Sequence, residues 1–110
     1  MTELVVVNRF RVEDHEAGPF RDQAEAALEA LAVRPGFVRG RLGRNLDQPS
    51  LWLLSTTWKD VGSYRRALSA FDVRVSAVPL LSRAIDEPSA YEEEAGRATN
   101  TAIPRQTDGR

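Results

Sequence analysis

The chain contains no cysteine, one histidine and one methionine among its 110 residues. Disulfide bridges and thiolate metal sites are therefore excluded, and a single histidine cannot supply a conventional zinc site. Neither charge sign is in excess, since 15 Lys and Arg face 16 Asp and Glu for a net charge of −1. A nucleic-acid-binding surface would need a clear basic patch, so no nucleic-acid partner is predicted.

Long hydrophobic runs are also missing. No stretch approaches the roughly 18 apolar residues that cross a membrane, so no membrane association is predicted. The opening MTELVVVNRF has no basic region before its apolar run and no small-residue cleavage site after it. We interpret it as a strand and expect a cytoplasmic protein. Nucleotide-binding glycine loops and the G-x-S-x-G serine motif are absent as well.

The patterns that are present predict a β-α-β-β-α-β order, which is the ferredoxin-like, split βαβ arrangement of the α+β class. In this fold the helices cover one face of an antiparallel sheet. Alternation and β-branched residues predict strands at residues 4–12, 37–45, 51–58 and 89–93. A helical stripe after the first strand consists of Phe20, Ala24, Ala27, Leu28 and Leu31.

The second helical region is harder to predict from the sequence. Asp60 is the expected N-cap, followed by a stripe of Val61, Tyr64, Leu68 and Phe71. Farther along, a helical face of Phe71, Val75, Val78, Ser82 and Ile85 competes with a strand-like alternation of Val73 and Val75. Pro79 excludes one straight helix. We favour a short helix or turn to Val78, then a helical turn that Pro79 opens.

One domain is predicted over residues 1–94, and the polar residues 95–110 are predicted to be a disordered, dispensable tail. The first strand has two unlike faces. Leu4, Val6, Asn8, Phe10 and Val12 lie on the face assigned to the helices, and the opposite face carries Val5 and Val7. Nothing within the domain is predicted to cover these two valines, so a second copy of the chain is expected to pack there as a homodimer.

Three short motifs resemble the antibiotic biosynthesis monooxygenase family of dimeric α/β barrels. They are VVVNRF at residues 5–10, PGF at 35–37 and STTWKD at 55–60, and the resemblance extends over about residues 3–93. It implies small enzymes that oxidise aromatic polyketide phenols to quinones with O2 and no cofactor. Haem-degrading relatives use an Asn, a Trp and an iron-ligating His. Asn8 and Trp58 match the first two, but no histidine follows His15.

Candidate site residues follow from this resemblance and from side-chain chemistry. Asn8 is the candidate catalytic amide, for holding a phenolate or reduced-oxygen species, unless backbone groups satisfy it. Trp58 is expected to wall an aromatic pocket and offer its indole N–H, unless it is a core residue. Substrate-binding candidates are Trp52, Tyr64 and Phe71, although the last two also suit the core.

Other polar residues carry weaker hypotheses. His15 is the one imidazole of the chain, a side-chain type suited to a general base, but its acidic surroundings favour a solvated surface position. Arginines that could attract an anionic substrate, or form dimer ion pairs, are Arg39, Arg41 and Arg44. The leading hypothesis is a cofactor-independent monooxygenase acting on a small aromatic phenol. The alternatives are a non-catalytic dimer that binds a small apolar ligand and, last, a haem protein with Tyr64 or Tyr91 as axial ligand.

Overall fold

The structure is a computed structural model that describes residues 2–98. Its order confirms the predicted β-α-β-β-α-β pattern, with three consecutive helices in the second helical position. A single turn of 3-10 helix, Asp14–Glu16, precedes the first helix. The elements are β1 (Leu4–Arg11), α1 (Ala17–Ala32), β2 (Phe37–Arg44), β3 (Leu51–Trp58), α2 (Val61–Ser69), α3 (Phe71–Ser76), α4 (Val78–Leu81) and β4 (Ala90–Glu92).

The strands form one antiparallel sheet in the order β2-β3-β1-β4. β1 and β3 are neighbours in its centre and pair along their whole length, from Leu4 opposite Trp58 to Arg11 opposite Leu51. The short strand β4 lies at the edge beside the start of β1. This is the ferredoxin-like arrangement expected from the sequence, because β1 is inserted between β3 and the last strand.

All helices pack on one face of the sheet, and the strict alternation of β3 shows which one. Its buried residues are Trp52, Leu54, Thr56 and Trp58, while the residues between them are half-buried on the opposite, open face. From α1, the predicted stripe supplies Phe20, Ala24, Ala27 and Leu31 to the core, with Leu28 at its margin. Val5 and Val7 lie on the open face, as predicted from the parity of β1.

The helices after β3 differ from the predicted pattern. Ala70 adopts an extended conformation with ψ of 142°, so α2 ends at Ser69 and the chain turns before Phe71. The prediction that Phe71 continues the inward stripe of this helix is therefore wrong, since its side chain is 76% exposed. The inward face of the next segment is Val73, Ala77 and Leu80, and Val75 and Val78 point outward. The break before Pro79 is confirmed.

Gly36, in the turn between α1 and β2, has φ of +91°, a conformation that side-chain-bearing residues rarely adopt. A Cβ here would also clash with the Ser63 hydroxyl oxygen at the start of α2. We expect Gly36→Ala to lower the unfolding free energy by about 1–3 kcal/mol, which thermal unfolding would register as a clear fall in melting temperature. Gly18→Ala in the first turn of α1 is the control, because its Cβ meets nothing within 4 Å. Equal melting temperatures would contradict this account.

Within residues 2–98, no helix is both long and apolar enough to span a bilayer. Residues 95–98 are exposed and form no helix or strand. The rest of the predicted tail, residues 99–110, lies outside the described part of the chain. Its disorder and dispensability stay predictions, as does the cytoplasmic location.

Candidate functional site

Asn8 is the one polar residue on the helix-facing side of β1, and the other residues on that side are buried. Leu4, Val6 and Phe10 are at most 3% exposed, whereas Asn8 is only half-buried. Its side chain makes no hydrogen bond with any residue in the described range 2–98, so backbone groups do not satisfy the amide there. The helical layer therefore covers Asn8 less completely than it covers Leu4, Val6 and Phe10.

Trp58 is the centre of an aromatic cluster at one end of the same face. Its side chain is fully buried, with ring centroids at 5.2 Å from Phe37 and 5.7 Å from Tyr64. The indole N–H donates to the Thr56 hydroxyl oxygen over 2.9 Å. The expectation that this N–H is free for a ligand therefore needs correction, because the donor is already used and the ring is covered by Phe37 and Tyr64.

The strand register places Asn8 and Trp58 on the same face but not in contact. Asn8 lies opposite Leu54, and Trp58 lies opposite Leu4, four positions away along β1. At about 3.4 Å per residue the separation along the strand is about 14 Å. Thr56 lies between them, opposite Val6, and is a diagonal neighbour of Asn8. These residues form a continuous strip, which we call the Asn8–Thr56–Trp58 strip.

Trp52 does not join this strip. It lies opposite Phe10, six positions of β3 from Trp58, and its ring packs on Phe20 at a centroid distance of 5.3 Å. The guanidinium groups of Arg44 and Arg21 lie 4.7 Å and 5.4 Å from its ring centroid. Phe71 also lies apart, on the surface of α3. Of the three predicted substrate-binding residues, only Tyr64 contacts Trp58.

Tyr64 is the titratable group packed directly on the Trp58 ring. Burial against this cluster raises the pKa of its phenol above the ordinary value. At neutral pH the hydroxyl therefore keeps its proton and serves as a hydrogen-bond donor or acceptor, not as a base.

The raised pKa of Tyr64 predicts an alkaline loss of stability. An unfolded tyrosine ionises near about pH 10, while folded Tyr64 keeps its proton to higher pH. The unfolding free energy should be insensitive to this group below about pH 10 and then fall as pH rises, because the unfolded state loses its proton first. Urea unfolding of wild type and Tyr64→Phe at several alkaline pH values would test this. An equally steep decline in the variant would contradict it.

The arrangement does not fit a haem group held by histidine. His15 is exposed in the 3-10 turn after β1, at the end of the sheet opposite Trp58. Around the Trp58 ring the described neighbours are Phe37, Tyr64 and Thr56, none of which is an imidazole. Among residues 2–98 no three His, Asp or Glu side chains converge on one point.

Thr56 is the site residue to which the sequence assigned no role. The alternation of β3 places Thr56 on the apolar face, but threonine is common in strands, so its presence there does not indicate a function. The sequence feature that could have identified Thr56 is a hydroxyl between Leu54 and Trp58, on a strand face that is otherwise apolar and therefore buried. The predicted arginines separate as well: Arg39 and Arg41 lie on the open face, and Arg44 lies over Trp52.

Comparison with known proteins gives one family match. The family model described as antibiotic biosynthesis monooxygenase matches residues 3–74. A search of curated proteins finds no match. Among solved structures, SnoaB from Streptomyces nogalater, named a cofactor-independent oxygenase, is 28% identical, with a TM-score of 0.71 over 92% of this chain and 99% of that one.

Two more distant structures agree in fold. A conserved protein from Methanosarcina mazei is 21% identical, with a TM-score of 0.71 over 86% of this chain and 95% of the other. A protein described as a putative antibiotic biosynthesis monooxygenase from Nitrosomonas europaea is 14% identical, with a TM-score of 0.68 over 84% and 91%. At these identities the likeness concerns the fold alone.

Proposed function

Because this chain belongs to the antibiotic biosynthesis monooxygenase family, we propose that it is a cofactor-independent monooxygenase that oxidises a small aromatic or polyketide-like phenol with O2. The observation that carries the proposal is the half-buried Asn8 amide, which has no partner among residues 2–98 and lies on an otherwise apolar wall. The likeness to SnoaB, which is named a cofactor-independent oxygenase, supports the same class of reaction.

The proposed reaction needs an ionised aromatic substrate more than it needs a protein redox group. The substrate gives up a proton to water, and its anion transfers electrons to O2 and forms a carbon-bound peroxide, which takes a proton back from water. Loss of water from the protonated peroxide gives the quinone, so one oxygen atom enters the product and the other leaves as water. For an anthrone the balance is anthrone plus O2 to anthraquinone plus water.

The chain contributes binding, charge stabilisation and exclusion of water in this scheme. The Asn8 N–H groups hold the developing oxyanion, where preorganised donors have a large effect on rate. The partly buried rings of Phe37 and Tyr64, which pack on the fully buried Trp58, supply the apolar surface against which an aromatic ligand packs. Val6 and Phe10, the buried apolar side chains on either side of Asn8, limit the access of water to the peroxide.

Oxygen consumption by the purified protein tests the proposal directly. A panel of anthrones and hydroquinones should include at least one compound that consumes O2 faster with protein than with buffer. An anthrone then gives the anthraquinone and a hydroquinone gives the hydroxyquinone, each with one water per O2. The boiled protein is the control for autoxidation. A panel in which no compound exceeds this control would contradict the enzymatic function.

A specific observation favours a second candidate, a dimer that binds a small apolar ligand without catalysis. Tyr64, the titratable group on the Trp58 ring, has a pKa raised by burial and so does not act as a base at neutral pH. A protein of this kind would bind an anthrone anaerobically and leave its oxidation rate in air unchanged. The same panel therefore separates the two functions.

The working unit is proposed to be a homodimer packed through the open face of the sheet. Val5, Val7 and Leu53 form an apolar centre there, at most half-buried within one chain. Arg39 on the β2 edge and Glu93 after β4 give a rim of opposite charges, which a two-fold axis can bring together. Light scattering should give twice the chain mass of 12.2 kDa. A monomer at micromolar concentration would contradict this.

A further inference from the structure

The hydroxyl of Thr56 is a second hydrogen-bond donor in the Asn8–Thr56–Trp58 strip, and its geometry follows from one contact. Thr56 is 4% exposed, and its oxygen accepts the indole N–H of Trp58 over 2.9 Å. A hydroxyl has one proton and two acceptor sites, so this bond occupies an acceptor site and leaves the proton free. The Thr56 proton meets no acceptor among residues 2–98.

A buried donor without an acceptor is costly, and native proteins rarely keep one. Thr56 is the diagonal neighbour of Asn8 across the β1–β3 ladder, which places the two side chains within about 7–8 Å on one face. That distance lets a single polycyclic ligand present oxygens to both. Asn8 is half-buried, so part of this residue is accessible to solvent one diagonal step from Thr56.

We propose that Thr56 binds an oxygen of the aromatic substrate together with Asn8, and that Trp58 acts through Thr56 as a positioning residue. This inference rests on the proposed function and extends it. The Trp58 N–H fixes the orientation of the Thr56 hydroxyl. By donating to the hydroxyl oxygen, it also strengthens the hydrogen bond that the hydroxyl proton makes. The site thus has two donors for an aromatic oxyanion, and Trp58 supplies neither of them.

The test is an anaerobic titration with 1,8-dihydroxy-9-anthrone, read by the visible absorbance of its anion on the protein. Donors aimed at the oxyanion increase the ionised fraction of bound probe at fixed pH. We expect Thr56→Val to lower the affinity for the anion by about 10-fold to 100-fold. Thr56→Ser keeps the hydroxyl and should stay within about threefold of wild type.

Trp58→Phe distinguishes a positioning role from direct binding. The variant should weaken the anion complex less than Thr56→Val does, and it should add nothing in the Thr56→Val background. This double variant also guards against misfolding, because Thr56→Val alone leaves the buried Trp58 N–H without an acceptor, whereas removing both partners is nearly neutral for stability. The melting temperatures of the wild type, the two single variants and the double variant show whether each protein is folded.

Three results with the variants would overturn the inference. The first is an unchanged anion affinity in Thr56→Val. The second is an equal loss of anion affinity in Thr56→Ser and Thr56→Val. The third is a double variant whose loss of anion affinity is the sum of the losses in Thr56→Val and Trp58→Phe. Probe binding without O2 uptake in air would contradict the proposed monooxygenase but leave the Thr56 contrast measurable. Absence of probe binding to the wild-type protein would overturn both.

Discussion

Asn8→Ala should lower the turnover number for O2-dependent quinone formation by about 10²-fold to 10³-fold, the usual result of removing one oxyanion donor. The reason is that the amide lies half-buried on an apolar face and no residue in the range 2–98 bonds its side chain. The same observation predicts an intact fold, because the alanine variant loses no internal hydrogen bond there. Steady-state oxygen-electrode kinetics, beside a thermal melt, measures both quantities.

Gln23→Ala is the matched control for Asn8→Ala. It also removes an amide, but Gln23 is exposed on α1 and bonds Arg83 on the outer surface. Its turnover should equal that of wild type. If Asn8→Ala instead lowers the melting temperature or the dimer content and leaves turnover unchanged, Asn8 is a structural residue. The proposed function would then lose the observation that carries it.

Val7→Glu should abolish the homodimer. Val7 lies in the middle of β1 on the open face, and a two-fold interface would bury the new carboxylate twice. The neighbouring cation on that strand face, Arg9, is already bound by Glu87 through two hydrogen bonds. Burying an unpaired charge costs several kcal/mol, enough to dissociate a typical dimer of small domains. Light scattering should then report the chain mass of 12.2 kDa in place of twice that value.

Val75→Glu controls for the chemistry of this substitution. Val75 is 58% exposed on α3, on the opposite side of the molecule from the open face, so the variant should keep the wild-type mass. If the chain folds only as a dimer, Val7→Glu will lose the circular dichroism signal of the folded protein as well as the dimer mass. A folded Val7→Glu dimer would show that the chains associate elsewhere.

Strand parity and helical spacing were enough to predict most of the fold. The alternation in residues 51–58 put Trp52, Leu54 and Trp58 on one buried face, and the register confirms it. The prediction failed at Phe71 because the spacing of apolar residues continues across Ala70, although the backbone does not. The spacing of apolar residues does not reveal a single extended residue between two helices.

The candidate site was predictable only in part. Parity correctly placed Asn8 and Trp58 on the same face, yet it says nothing about how far apart two residues lie along paired strands. The register decided that Trp52 lies opposite Phe10, at the far end from Trp58, and so belongs to a separate cluster. The use of the Trp58 N–H by Thr56 likewise depends on two rotamers, which sequence spacing does not specify.

The sequence by itself determined the element order, the division of β1 into two unlike faces, and the exclusion of disulfides and thiolate metal sites. These follow from composition and from short periodicities, which act over a few residues. The tertiary structure decided which polar groups on the buried face are satisfied and which remain free. That depends on hydrogen-bond distances set by the packing of helices over the sheet, and these left the amide of Asn8 and the proton of Thr56 without partners among residues 2–98.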